Sequence, residues 1–303
     1  MPMQQMLLGA GGGINYAVGQ VVFDGDNVSQ SWTVPDNVYS ISVVCVGRGE
    51  PNSSASGDGG GLAWASNIPV TPGATLTYTT RAAHDKNNPP SGDSILSGPA
   101  SGSQAAWSVT GPSSVNGTQS STYFTGTPGA SRGGNRGGNG AAPVYNQGFF
   151  NLTFLAGGGG AAGYSGQGGD ADTSSYNNNA AGGGACCGYR GIGYSPFGTY
   201  GGARSGGGGG VGLLGQGTTG DWTDNQWVNQ NNGWGGPGGS GGAKAVNGDT
   251  NVKTNGGLYG GGAGDGGSSL GSDADHEGAG GGIRIIWPGH ERLYPSTRTA
   301  DES

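Results

Sequence analysis

The chain has 303 residues, of which 32% are hydrophobic and only 10% are charged, and its formal net charge is −7. Nucleic-acid binding proteins neutralise phosphates with a basic surface, so this acidic chain falls outside that class. Disordered chains combine low hydrophobicity with high charge and few aromatic residues; 7 Trp, 12 Tyr and 6 Phe beside 74 Gly instead predict an ordered chain with an unconventional core.

Residues 1–13, "MPMQQMLLGAGGG", precede the first strand-like run and form a separate segment. The segment has no basic stretch, and its apolar run is too short for a secretory signal. No run of about 18 apolar residues occurs in the chain, so the sequence predicts no membrane insertion. We therefore expect a protein made in the cytoplasm that reaches the outside of a cell only by lysis.

Residues 14–85 predict an antiparallel β-module, because alternating runs of Val, Ile, Thr, Tyr and Trp are separated by Asp-Gly, Pro-Asp-Asn and Pro-Gly turns. The predicted strands fall at 19–25, 29–35, 38–47, 61–70 and 75–80. Residues 86–155 are rich in Ser, Thr and Asn. They are either irregular or an elaboration of the module, with a further candidate strand at 148–157.

Glycine-rich blocks alternate with polar and aromatic loops over residues 156–282. A polyproline II helix has three residues per turn and no internal hydrogen bonds, so adjacent all-glycine helices can bond laterally. A flexible linker has no reason to recur with aromatic loops between its copies. We therefore expect a bundle of polyglycine II helices with loop insertions; the alternative is a disordered or silk-like segment.

Residues 283–303 supply a closing strand and a tail. We expect 283–287 to pair with the N-terminal module and to bring the chain ends together, with Trp287 in a structural role. The fold class predicted for the whole chain is all-β and irregular, with essentially no α-helix.

The sequence contains no motif for catalysis or for a cofactor. Gly-Lys-Ser/Thr does not occur, which excludes a P-loop. The three histidines lie far apart and no local signature supports a nucleophile with its base; they are His84, His276 and His290. We therefore expect no enzymatic activity and no cofactor.

Three further features have structural interpretations. The three cysteines define no disulfide framework, and we expect small buried residues in a reducing cytosol; they are Cys45, Cys186 and Cys187. The acidic turn at 272–277 has oxygen ligands suited to Ca²⁺ but lacks the spacing of an EF-hand, which favours a solvated turn and leaves metal binding open. In the run 131–138, two arginines are expected to stabilise a loop rather than to bind RNA.

Three features of the chain are typical of one group of virus proteins. They are the opening "QQMLLGAGGG" with "WTVPDNVYSISVVCVGRG", glycine blocks such as "GGGGGVGLLGQG", and the ending "GAGGGIRIIWPGHERLYPSTRT". In these features the chain resembles the glycine-rich domain proteins of tailed bacteriophages and, more distantly, the tip adhesins of T-even-type long tail fibres. The resemblance implies a virion protein with a glycine-helix sandwich whose variable loops contact the host; residues 85–150 lie outside it.

Four loops between the glycine blocks combine aromatic rings with amide and hydroxyl groups; they are 172–180, 189–200, 221–232 and 243–255. Binding surfaces are enriched in such residues because rigid rings bury area at low entropic cost. The candidate receptor-binding residues are Tyr176, Asn177, Asn178, Tyr194, Phe197, Trp222, Trp227, Asn229 and Asn251. Rings beside glycine blocks either contact a receptor or form a local core over the bundle; they are Tyr164, Tyr200, Trp234 and Tyr259.

We therefore expect a non-enzymatic virion protein, a tail-fibre or tail-tip adhesin. The β-module and residues 1–13 would attach to other tail or fibre proteins, and the loops would bind a bacterial surface glycan or outer-membrane protein. The alternatives are a head-decoration or fibre-shaft protein, an ice-binding protein and a depolymerase; a depolymerase needs paired carboxylates in a cleft, which the sequence does not suggest. The host, the receptor and the oligomeric state, for example a homotrimer, stay open.

Overall fold

The fold is taken from a computed structural model of the chain. The residues that the structure describes are 17–51, 57–83, 92–100, 104–115, 118–119, 122–140, 144–146, 152–154, 158–164, 166–170, 179–180, 204–205, 207–215, 255–264 and 277–295. This part of the chain is all-β, without a helix, and is built mainly on two antiparallel sheets. The prediction of an all-β fold is thereby confirmed for the described residues.

The first sheet, sheet A, joins both ends of the described chain. In spatial order its strands are β1 (Gly19–Asp24), β16 (Gly282–Trp287), β3 (Ser40–Val46), β4 (Leu62–Pro69) and β11 (Ser131–Asn135). β16 lies between β1 and β3 and is antiparallel to both, with Ile285 opposite Val21 on one side and Val43 on the other. The expected pairing of the closing strand with the N-terminal module is confirmed.

The second sheet, sheet B, combines strands from two regions of the sequence. In spatial order its strands are β10 (Phe124–Thr125), β7 (Trp107–Gly111), β6 (Ser94–Gly98), β5 (Thr75–Thr79) and β2 (Ser29–Thr33). Three of the five come from the Ser/Thr/Asn-rich segment, so this segment supplies regular strands as well as loops. The five strands predicted between 19 and 80 are all present, divided between the two sheets.

Three short pairs of strands lie outside the two sheets. Their members are β8 (Ser114–Val115) with β9 (Thr118–Gln119), β12 (Val144–Asn146) with β13 (Leu152–Phe154), and β14 (Asn179–Ala180) with β15 (Arg204–Ser205). β13 falls within the candidate strand at 148–157. β14 and β15 are parallel, with Asn179 opposite Arg204.

Sheets A and B pack face to face around an apolar core. Alternate residues of β3 and β16, such as Cys45 and Ile285, meet Leu96 and Val109 of sheet B, and all four are fully buried. A fully buried valine, leucine or isoleucine side chain contributes about 1.5–3 kcal/mol through its removal from water. Cys45 is a free thiol whose burial raises its pKa, which agrees with the buried cysteine expected from the sequence.

The other face of sheet A is also covered, so β3 and β16 are buried along their whole length. A second apolar cluster joins Val44, Val46 and Ile286 of the sheet to Ala161 and Val211 of glycine-rich segments. We call these segments the glycine layer; they are residues 47–50, 57–61, 136–140, 158–164, 166–170, 207–215, 255–264 and 277–281. Sheet A is therefore the central one of three layers.

Candidate functional site: the glycine layer and its loop bases

Four segments of the glycine layer are direct continuations of strands of sheet A. Residues 47–50 follow β3, 136–140 follow β11, 57–61 precede β4 and 277–281 precede β16. Because neighbouring strands are antiparallel, all four continuations leave the sheet at the same end, which we call the glycine end. They remain hydrogen-bonded to one another there, as in Gly49 N–H to Ala279 O at 3.0 Å and Gly59 N–H to Gly138 O at 2.9 Å.

The hydrogen bonds of segment 57–61 point in several directions instead of lying in one plane. Gly57 and Gly60 donate to the same neighbour, 255–264, through the carbonyl oxygens of Ala263 and Gly260. Gly59, between them, donates to Gly138 in a different segment. In a β-ladder the direction repeats every two residues, so this segment departs from strand geometry and its donors return to one neighbour after three residues.

Segment 158–164 follows the same rule over four consecutive residues. Gly159 and Ala162 both donate to segment 57–61, at 2.9 Å each. Between them, Gly160 donates to Gly169 and Ala161 donates to Gly209, so four consecutive residues bond to three neighbouring segments. Backbone hydrogen bonds therefore join each of these segments directly to its neighbours.

The segments approach so closely that a side chain does not fit between them. A Cβ atom placed on Gly59 would overlap the carbonyl oxygen of Gly160, and one on Gly208 would overlap the carbonyl oxygen of Gly159. One on Gly138 would overlap the carbonyl oxygen of Gly169. The glycine at these positions is therefore required by the distance between backbones.

A buried polar cluster fixes the glycine layer to sheet A; it consists of Arg284, Gln20, Tyr164 and Tyr294. Arg284 is fully buried in β16, and its guanidinium donates to Gln20 Oε1 and to the carbonyl oxygen of Leu213 in the glycine layer. Tyr294 Oη donates to the same carbonyl oxygen at 3.2 Å. The side chains thus satisfy polar atoms that would be costly to bury alone.

Tyr164 binds the segment 207–215 on either side of Leu213. Its hydroxyl donates to Gly212 O at 3.0 Å and accepts from Gly215 N–H at 3.2 Å. Its ring stacks on that of Tyr294, with centroids 5.8 Å apart. Tyr259, half-buried, packs against the same cluster and donates to Asp24 Oδ2 at 3.0 Å. Tyr164 is buried in this cluster, as the local-core interpretation expects, whereas Tyr259 is only partly buried against it. Tyr200 and Trp234 lie outside the described residues.

We expect the free energy of unfolding to fall as the pH rises above about 10, the ordinary pKa of tyrosine. Burial raises the pKa of Tyr164 and of Tyr294, in spite of the nearby Arg284, which lowers both. Burial and the hydrogen bond to Asp24 raise the pKa of Tyr259 to about 12. At alkaline pH the unfolded chain therefore loses these protons first and is favoured.

Urea unfolding between neutral pH and about pH 11 measures this dependence on pH. Tyr164→Phe keeps the ring and removes the ionisable group, so it should flatten the alkaline slope while costing about 1 kcal/mol at neutral pH for the lost hydrogen bonds. An alkaline slope as steep as that of the unmodified chain would contradict a contribution from Tyr164.

Most segments of the glycine layer that border a candidate loop have the residue next to that loop at the glycine end. Asp170, just before the loop 172–180, accepts a hydrogen bond from Asn139 N–H at 2.8 Å. Gly208, after the loop 189–200, donates to Gly262. Gly256, after the loop 243–255, donates to Glu277 O. The described residues Asp170, Gly208 and Gly256, next to three of the four loops, therefore lie at the glycine end.

The fourth loop, 221–232, borders a different part of the layer. It follows Gly215, which lies over sheet A beside Tyr164, and the chain returns to the glycine end at Asn255. The parallel strands β14 and β15 flank the loop 189–200 in the chain. The nine candidate receptor-binding residues themselves lie outside the described residues, so their arrangement stays a prediction.

Other candidates from the sequence have ordinary structural surroundings. Arg136 Nε donates to Gln167 Oε1 at 2.8 Å, and Arg132 lies 5.9 Å from the centroid of the Phe124 ring. Trp287 is 9% exposed and tilted against Trp32, in the structural role expected for it. Of the acidic turn only Glu277 is described; its N–H donates to Asn255 Oδ1 at 3.0 Å.

Among the residues that the structure covers, no three His, Cys, Asp or Glu side chains are grouped as a metal site. None of the described segments is a helix of the length and apolarity needed to cross a membrane. Comparison with protein-family models finds no matching family, and comparison with curated proteins finds no match. The glycine layer and its loops are therefore the features that bear on function.

Proposed function

We propose that the glycine layer is a bundle of polyglycine II helices. The supporting observation is the direction of the hydrogen bonds, which returns to the same neighbour after three residues at Gly57 and Gly60 and again at Gly159 and Ala162. A helix with three residues per turn has this repeat, and it leaves every N–H and C=O available for lateral bonds. Such a bundle needs glycine where backbones touch, as at Gly59.

We further propose that the chain is a structural protein of a bacteriophage virion and acts as an adhesin at a tail fibre or tail tip, with the glycine layer as the scaffold for its loops. A bundle bonded in three directions and packed on a sheet is stiff. Stiffness at the base of a loop lowers the entropy lost when the loop binds. The loops 172–180, 189–200, 221–232 and 243–255 then form the receptor-binding surface, for a surface glycan or an outer-membrane protein.

In this proposal, the two sheets attach the chain to the virion. The sandwich of sheets A and B, together with residues 1–13, would connect the chain to other tail or fibre proteins. No cofactor, nucleic acid or enzymatic step is part of this function. The observation that carries the proposal is the position of the loop bases, three of which lie together at the glycine end.

Binding of the purified, fluorescently labelled chain to a panel of candidate host bacteria tests the proposal. An adhesin should bind one host saturably and should compete with adsorption of the phage. Circular dichroism and a cooperative unfolding transition establish that the sample is folded. A folded sample that binds no host and does not block adsorption would favour a head-decoration or fibre-shaft role instead.

Replacing Trp222 and Trp227 together with alanine should abolish binding to the host, because central aromatic residues carry about 2 kcal/mol or more each in typical interfaces. The matched control is the double replacement of Thr218 and Thr219 with alanine, in the same insertion but outside 221–232. Binding is measured by flow cytometry, and the unfolding midpoint of each variant is compared with that of the unmodified chain. Undiminished binding by the tryptophan variant would exclude this loop from the receptor contact.

A further inference from the structure

An apolar margin lies where the edge of sheet A meets the glycine layer. Its exposed side chains, between 39% and 54% exposed, are Val18, Val22, Leu214, Leu258 and Leu293. Within the described residues, the other exposed large hydrophobic side chain is Val28, 59% exposed. Large apolar side chains gathered along one margin mark an interaction surface more often than single scattered ones do.

The contacts of β1 show which face the margin belongs to. Gln20 contacts Arg284 and Asp24 contacts Tyr259, both on the side of the glycine layer. Side chains alternate along a strand, so Val22, between them, faces the same side. The intervening Val21 and Phe23 pack into the core between the two sheets.

The leucines of the margin flank the same contacts. Leu214 follows Leu213, whose carbonyl oxygen accepts from Arg284. Leu258 precedes Tyr259, which is bonded to Asp24. Leu293 follows Arg292, whose Nη1 donates to the carbonyl oxygen of Gly19 at 2.6 Å. Each leucine of the margin is therefore the chain neighbour of a residue bonded to β1 or to Arg284, which pairs with β1.

β1 is also the outermost strand of sheet A, and no described strand pairs with its outer edge. Edge strands usually carry charges, proline or a bulge that discourages pairing with another chain. In β1, "GQVVFD", the one charged residue is Asp24, at the end of the strand. The strand is thus suited to pairing with a further strand.

We propose that the partner is a second copy of this chain, paired antiparallel through β1 about Val22. A two-fold axis at this position sets Val22 opposite Val22 and Asp24 opposite Gln20 of the other copy. Asp24 then lies next to Gly19 of the other copy, where Arg292 is bound, and the same contact occurs twice by symmetry. Opposite charges therefore flank an apolar centre, and the margins of the two copies become continuous.

The mass of the full chain in solution tests this dimer. Light scattering should give twice the chain mass of 29.6 kDa. Val22→Asp places two carboxylates opposite each other and should weaken association by about tenfold or more. Val28→Asp is the matched control, an exposed valine outside the margin, and should leave the dimer intact. A monomer at all concentrations, or a dimer indifferent to Val22→Asp, would overturn the proposal.

Cross-linking tests the register separately. Paired residues on neighbouring antiparallel strands have Cβ atoms about 4.5–5.5 Å apart, close to the range that a disulfide needs. Val22→Cys should therefore link two copies on mild oxidation, whereas Val28→Cys and the unmodified chain should not. If removal of residues 1–16 converts a monomer into a dimer, the N-terminal segment of the chain is the natural occupant and the proposal fails. These outcomes do not depend on receptor binding.

Discussion

Gly59→Ala should lower the free energy of unfolding by about 3 kcal/mol, the upper end of the usual cost of overpacking. The added methyl group would overlap the carbonyl oxygen of Gly160 and the nitrogen of Ala161. Backbone atoms do not rotate away as the end of a side chain does. Separating the segments would also strain the hydrogen bond from Gly59 N–H to Gly138 O, at 2.9 Å. Urea unfolding measures the loss.

Gly73→Asn is the control for this substitution. Gly73 has a φ of 76°, and nothing lies within 4 Å of a Cβ atom placed on it. Asparagine tolerates the left-handed region better than other side chains, so the expected cost is about 1 kcal/mol or less. Equal losses at Gly59 and Gly73 would mean that the close approach of backbones does not govern stability in the layer.

The second large effect is expected at the buried arginine. Arg284→Ala should cost about 3 kcal/mol, because it leaves a cavity between sheet A and the glycine layer. Arg284→Met fills most of that space but leaves Gln20 Oε1 without the guanidinium, and it should cost about 1–3 kcal/mol. Both variants should also speed hydrogen exchange in 207–215, since Arg284 donates to Leu213 O.

Arg132→Met is the control for the arginine, because Arg132 is exposed on the edge strand β11 and contacts only the face of Phe124 among the interactions described for it. An exposed cation–π contact contributes about 0.5–1 kcal/mol. If Arg284→Met proved as mild as Arg132→Met, the polar cluster would not be what fastens the glycine layer to the sheet.

The strands were predictable from the sequence because each is a short alternating run between turn residues. In β5, "TLTYT", Leu76 and Tyr78 are buried while the threonines face outward or are partly covered. The apolar run Val43–Val46 of β3 has a different cause. Both faces of this strand are covered, so alternation is lost, and the layer that covers the second face comes from remote glycine blocks.

The buried arginine was not predictable either, because the layer that covers it comes from a remote part of the sequence. In "GIRIIW", an arginine between two isoleucines is typical of a strand with one solvent-exposed face. Here that face lies under 207–215, and the neighbours that solvate the guanidinium are Gln20 and Leu213, far away in the sequence. Tyr164 was ambiguous between contact and core because composition does not reveal which side of a glycine block meets a sheet.

The glycine blocks were predicted as a separate region, yet four of the layer's segments are extensions of sheet A strands. Segment 57–61 belongs to the predicted β-module in sequence, although its backbone bonds to 158–164 and 255–264. The sequence of this segment, "GDGGG", does not distinguish a strand from a segment of the glycine layer. The receptor-binding loops stay a prediction, since their residues lie outside the described part.

The central position of β16 has a consequence for the order of folding. During synthesis β1 and β3 leave the ribosome early, but the strand that joins them is made after nearly all of the glycine-rich region. Sheet A therefore cannot close until β16 has been made, and its high contact order predicts slow folding. Until β16 inserts, the inner edges of β1 and β3 are open to wrong partners, so nascent chains of this protein should depend on chaperones more than their length suggests.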